Sequence, residues 1–170
     1  MNDSQQIETI VQQWREQRPD IDSGPMALMG KLRRLTTRLR DEFVIGYEQF
    51  GIGEGEFDVL SALRRMGQPF ELPPSLLADH TMVTAGATSK RIDRLVEAGL
   101  VDRRSGTDDR RARVIALTPN GHKLIDQAIE AHTANQRRLA ATLSDEEFKR
   151  MEDTVSKWLV ALDSISDMKS

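Results

Sequence analysis

Residues 81–118 read TMVTAGATSKRIDRLVEAGLVDRRSGTDDRRARVIALT, and their periodicity changes once, at Gly99. With Thr84 as the N-cap, Ala85, Thr88, Ile92, Leu95 and Val96 fall on one side of a helix, and Gly99 supplies the left-handed stop that ends it. That side is expected to be core. The opposite side carries Gly86, Lys90, Asp93 and Arg94, with small or hydroxyl-bearing Ala87, Thr88 and Ser89 near the amino end, so it can lie close against another surface. After Gly99, Leu100 to Arg104 and Ala112 to Leu117 read as two short strands, joined by the turn formers Ser-Gly-Thr-Asp-Asp at 105–109. The order is helix, then hairpin.

A short helix presenting hydroxyls and cations, followed by a hairpin with Arg103, Arg104, Arg110, Arg111 and Arg113, has the parts of a winged helix-turn-helix. Such a helix fits a major groove about 12 Å wide, and the arginine-bearing hairpin reaches phosphates or the adjacent minor groove. The groups expected to meet DNA are Thr84, Gly86, Thr88, Ser89, Lys90 and Arg94 on the helix and Arg104, Arg110, Arg111 and Arg113 on the hairpin. The first set reads sequence and the second sets position. From Thr88 to Arg113 eight cations stand against five acids, so the segment is +3 within a chain of −3. A local positive field on an otherwise acidic protein is what a nucleic-acid surface requires. A solvated charged face is the plainer alternative, and the ordered sequence of helix, stop, hairpin and arginines weighs against it.

Working outward, 170 residues at 38% hydrophobic content suffice for one ordinary core, and 30% charged residues argue against a membrane or fibrous class. No run approaches the roughly 18 apolar residues of a membrane span, and the start MNDSQQ lacks the basic and apolar regions of a secretory signal, so a cytoplasmic protein is expected. The absence of cysteine removes disulfides, thiolate metal sites and a cysteine redox switch together.

Ile7, Ile10, Val11 and Trp14 define an amphipathic helix within residues 4–18, ended by Pro19. From Pro25 a longer helix runs to about Phe50, with Leu28, Leu32, Leu35, Leu39 and Phe43 along one side and Gly51 and Gly53 as its stop. Glu54 to Met66 is a third helix. Pro74 and Ser75 open a short one through His80, which pairs with the helix from Thr84 as a helix-turn-helix. Beyond the hairpin, Thr118 and Pro119 start a helix reaching about Leu143. Ser144 and Glu147 then form a capping box before a last helix with Phe148, Met151, Val155, Trp158, Leu159 and Leu162 on one face.

The fold class is therefore mainly α with a small β-hairpin wing. Residues 1–170 form one domain, with the DNA-binding lobe over about 54–118. The lobe's core is expected to take Phe57, Leu60, Leu63, Leu76, Leu77, Ile92 and Leu95, which leaves the stripes of the terminal helices over. That excess, over 25–50 and 119–165, is expected to bury against a second copy. A two-fold homodimer sets two recognition helices about one DNA turn apart, on a roughly palindromic site.

RLVEAGLVDRR at 94–104, DDRRA at 108–112 and LTPNG at 117–121 resemble the recognition helix, wing and following helix start of the MarR family of bacterial transcription regulators, a likeness running from about residue 26 to about 165. At the amino end VQQWR at 11–15, RPDID at 18–22 and Pro25-Met26 resemble the urate-responsive, PecS-type branch of that family. The resemblance implies a homodimeric repressor that binds double-stranded DNA and needs no cofactor, with urate or a related purine anion as its effector. In that branch four residues are implicated in ligand response: a tryptophan of an extra first helix, an aspartate ahead of the helix-turn-helix, and arginines of the recognition helix and wing base. They fall on Trp14, Asp58, Arg91 and Arg103. Taken singly, packing accounts for Trp14, the helix dipole for Asp58, and phosphate contact for either arginine.

Two other classes compete. An enzyme finds no support, because His80, His122 and His132 show no i, i+4 pairing and neither a phosphate loop nor a nucleophile elbow occurs. Metal binding by His122, Glu130 and His132 is weaker than a solvated helix surface as an account of those residues. An all-helical adaptor would use the terminal helices as a protein-binding groove and would not bind duplex DNA.

Overall fold

The computed structural model describes residues 1–81, 85–106 and 113–167, and the helices and hairpin follow in the expected order. They are α1 (Asp3–Gln17), α2 (Gly24–Glu48), α3 (Glu54–Arg65), β1 (Glu71–Leu72), α4 (Pro74–Asp79), α5 (Ala85–Glu97), β2 (Val101–Ser105), β3 (Arg113–Leu117), α6 (Pro119–Ala140) and α7 (Asp145–Asp167). Among the described residues no helix is long and apolar enough to cross a membrane. The chain divides into two compact units, residues 1–129 and 130–170, a division that falls inside α6.

Local chemistry sets most boundaries. Asn2 and Gln5 cap α1 reciprocally, each side chain accepting the other's backbone N–H at 2.9 and 3.0 Å. Gly53 precedes α3, and its N–H donates to Glu56 Oε2 at 3.1 Å. At the end of α5, Leu100 N–H bonds to the Leu95 carbonyl and Gly99 N–H to that of Val96, both at 2.9 Å, with Gly99 at φ +67°. This double closure needs a left-handed residue that glycine adopts without strain. Thr118 then ties two elements: its hydroxyl accepts the Gly121 N–H at 3.0 Å and donates to the Gly99 carbonyl at 2.8 Å. A side chain at Gly121 would overlap the Leu100 carbonyl, so α6 starts pressed against the end of the α5 loop. The Ser144 and Glu147 box opens α7 as expected, with Glu147 Oε2 accepting the Ser144 N–H at 2.9 Å.

The sheet has the order β1-β3-β2, all antiparallel, with Leu72 opposite Ile115 and Arg103 opposite Ile115 from the other side. Strand β1 is an addition to the sequence reading. Its two residues, Glu71 and Leu72, are too few to show alternation, and only pairing with β3 makes them a strand. The core of the first unit gathers Val59, Leu60 and Leu63 of α3, Leu77 of α4, Ile92 and Leu95 of α5, and Val101 and Ile115 of the sheet. Leu76, expected in this core, is 43% exposed, because on a six-residue helix its neighbour Leu77 takes the inward position. Val96 is also exposed, at the edge of the α5 stripe whose centre is Ile92 and Leu95.

Candidate nucleic-acid interface

Helix α5 rests on α3 through Ile92 and Leu95 and turns Ser89, Lys90, Asp93 and Arg94 outward. Gly86 lies in its first turn. Thr88, expected among the DNA-facing groups, is 2% exposed and sits with the core side of the helix. Thr84, Arg110 and Arg111 lie outside the described residues. On the wing, Arg103, Arg104 and Arg113 are exposed, with Arg104 opposite Val114 and Ser105 opposite Arg113.

The arginines have acid partners that the sequence reading did not supply. Arg94 Nη1 donates to Glu56 Oε1 at 3.1 Å, Arg103 Nη2 to Asp93 Oδ1 at 2.5 Å, and Arg104 Nη2 to Glu71 Oε2 at 3.0 Å. Lys90 and Arg113 carry no ion pair among the described residues. Glu56 was legible as an acid in the first turn of α3, but its reach to α5 depends on packing between elements 38 residues apart. Glu71 was hidden because β1 was.

By element and contact, the four residues matched for ligand response fall into three groups. Arg91 and Asp58 belong together: the Arg91 guanidinium lies over Gly55, where any side chain would overlap it, and Arg91 acts on the Asp58 carboxyl electrostatically. Arg91 Nη1 is buried and unbonded among the described atoms. Burial, followed by the nearby Glu54, holds Asp58 above the usual carboxylate range against the pull of Arg91 and Arg65. Tyr47, stacked on Phe57 with ring centroids 4.3 Å apart, has its phenol pushed up to about 12 by burial and by Asp58 and Glu54. Arg103 forms the second group, bonded to Asp93. It also lines a cavity of about 260 Å³ with Pro74, Ser75, Thr88, Ser89 and Ile92.

Trp14 is the third, 44% exposed on α1. Asp3 pairs with Arg38 at 2.7 Å and Glu8 with Lys31 at 3.2 Å, while Ile7 packs over Gly30, so α1 is fixed along α2.

Comparison with known proteins agrees with this fold. Residues 50–112, from the loop before α3 to the wing, match the model of the MarR family. The chain is 35% identical over 142 residues to the HTH-type transcriptional regulator PecS of Dickeya dadantii (strain 3937), covering 84% of this chain and 86% of that one. A mutant MarR from Escherichia coli, solved in complex with operator DNA, superposes with a TM-score of 0.67 at 22% identity, over 86% of this chain and 97% of that one. Bordetella bronchiseptica BpsR, solved to explain regulation of its DNA binding by 6-hydroxynicotinic acid, gives 0.64 at 22% identity, over 75% and 89%.

Proposed function

We infer, from a chain that belongs to the MarR family of DNA-binding transcription regulators, that this protein is a repressor which binds a palindromic operator as a homodimer and leaves it when a small anion binds. The observation that carries the DNA reading is that Ser89, Lys90 and Arg94 are exposed on α5 and Arg103, Arg104 and Arg113 on the wing, with Arg103 joining the two elements through Asp93. Ser89 and Lys90, with the backbone at Gly86, read base edges, while Arg104, Arg110, Arg111 and Arg113 set position on phosphates. The exposed apolar residues of α7, among them Phe148, Met151, Leu159 and Leu162, supply a surface for a second copy. In the first unit, Leu28 and Leu35 of α2 are exposed as well.

The effector reading rests on likeness to PecS and on the charge links of α5. An anion of the urate kind suits the guanidinium fork of Arg103. Taking Arg103 would draw it from Asp93, and a like charge near Asp58 would disturb its hold on Arg91, so both links from α5 to its surroundings change at once. Trp14 would wall the ligand from α1. A coupling of about 1–3 kcal/mol weakens DNA binding roughly 5–150-fold.

The test has two stages. Sequencing the DNA retained by the purified protein gives the operator, and affinity for operator and random duplex is measured at two salt concentrations. Operator preference with a steep loss of affinity in salt is expected, and absence of duplex binding would overturn the reading. Operator affinity is then titrated with urate for wild type, Arg103→Ala and Asp58→Asn. A wild type indifferent to millimolar urate rejects the ligand, and a response kept in both variants rejects the site.

A further inference from the structure

The pairing of Arg94 with Glu56 has a form that neither a simple phosphate contact nor a simple helix cap explains. Glu56 uses both oxygens: Oε2 accepts the Gly53 N–H at 3.1 Å and Oε1 accepts from Arg94 at 3.1 Å. Its side chain is only 13% exposed, whereas that of Arg94 is 70% exposed. The acid is thus fixed in the body of the lobe, and the cation is the movable, outward member. An arginine in that position on a DNA-facing helix would ordinarily add to the sequence-independent attraction that every duplex exerts. Bonded to Glu56 it is neutralised as a charge, while its remaining N–H donors keep a fixed direction.

We propose that Glu56 is a specificity-determining residue: it holds Arg94 back from the phosphate backbone, lowering affinity for random DNA while leaving the reading groups of α5 in place. This rests on the DNA-binding reading above. Specificity is a ratio of affinities, and withholding one cation raises the ratio by weakening the competitor that all DNA presents. Arg104 with the largely buried Glu71 follows the same arrangement on the wing, while Arg103 pairs with Asp93, which is itself exposed on α5. The positive field then comes chiefly from Lys90 and Arg113 among the described residues.

Glu56→Gln separates the two uses of the side chain. A glutamine at this position still accepts the Gly53 N–H, as capping boxes with either residue do, but it no longer neutralises Arg94. The measurement is affinity for operator and for random duplex across a salt series. The variant is expected to bind random duplex several-fold more tightly, to show a salt slope steeper by about 0.9, and to have a lower operator-to-random ratio. Adding Arg94→Gln in the same chain should return the slope to that of wild type. Unchanged random affinity and slope would overturn the proposal, as would an equal loss of affinity for both duplexes, which is the mark of a purely structural role. Arg94→Gln alone provides a second reading should Glu56→Gln fold poorly: little change in slope is expected, and a slope shallower by about one full phosphate contact would overturn the idea. A wild type that binds neither duplex would instead remove the function reading, and this inference with it.

Discussion

The lobe built on α3 and helix α7 both carry apolar stripes and dispose of them in opposite ways. Val59, Leu60, Ala62 and Leu63 of α3 are wholly buried, closed over by α5 and the sheet. Phe148, Met151, Val155, Leu159 and Leu162 of α7 all remain exposed. An amphipathic helix gains most of its stability from packing its apolar face rather than from intrinsic propensity. One stripe is therefore complete within a single chain, and the other is the surface proposed above for a second copy.

The strongest test of the complete stripe is Leu63→Ala. Removing a side chain that is fully buried among Leu60, Leu77 and Leu95 leaves a cavity the surrounding helices cannot fill, at a cost of about 2–5 kcal/mol. Urea unfolding should show the midpoint fall with an unchanged slope. A loss below about 1 kcal/mol would mean that the lobe is loosely packed and that the contrast with α7 is false.

Leu159→Asp tests the incomplete stripe. If a second copy covers α7, a carboxylate introduced there is desolvated without a partner, and the protein should sediment at half the wild-type mass. Wild-type stability should also rise by about 1.4 kcal/mol per tenfold increase in protein concentration, a dependence the variant lacks. A monomeric wild type whose stability ignores concentration would break the comparison at this end.

How far the sequence could be read follows the same division between local and non-local causes. Gly99, Thr118 and the Ser144 box were legible because a stop or a cap is decided within a few residues. Ile92 and Leu95 were legible because they occupy the middle of a stripe, while Val96 and Leu76 sit where a small rotation of the helix decides burial. Strand β1 was not legible, since its two residues become a strand only by meeting Ala116 and Ile115. In the interface, the outward position of Lys90 and Arg94 followed from the helical period, and the acids that hold the arginines did not. Thr88 had been given to both faces, and packing decided for the inner one.

The smallest expected effect concerns two carboxylates, one in each region, whose pH responses should have opposite sign. Asp58 of α3 is held above the ordinary value of 3.8, first by burial and then by Glu54. The folded protein therefore binds this proton more readily than the unfolded chain does. Its contribution to stability is present at low pH and is lost as pH rises through the folded value, in a window lying above 3.8. Glu147 at the start of α7 is held below 4.5 by hydrogen bonds from the Ser144 side chain and backbone. Its contribution is present above 4.5 and is lost as pH falls through the lower folded value. Urea unfolding from about pH 3 to pH 7, for wild type against Asp58→Asn and Glu147→Gln, isolates each group from the titration of the rest. Relative to Asp58→Asn, the wild type should lose stability as pH rises. Relative to Glu147→Gln, it should gain. If the wild type instead gained on Asp58→Asn with rising pH, attraction to Arg91 would outweigh burial, and Asp58 would be an ion-pair anchor for α5 rather than a carboxyl that the lobe buries at a cost.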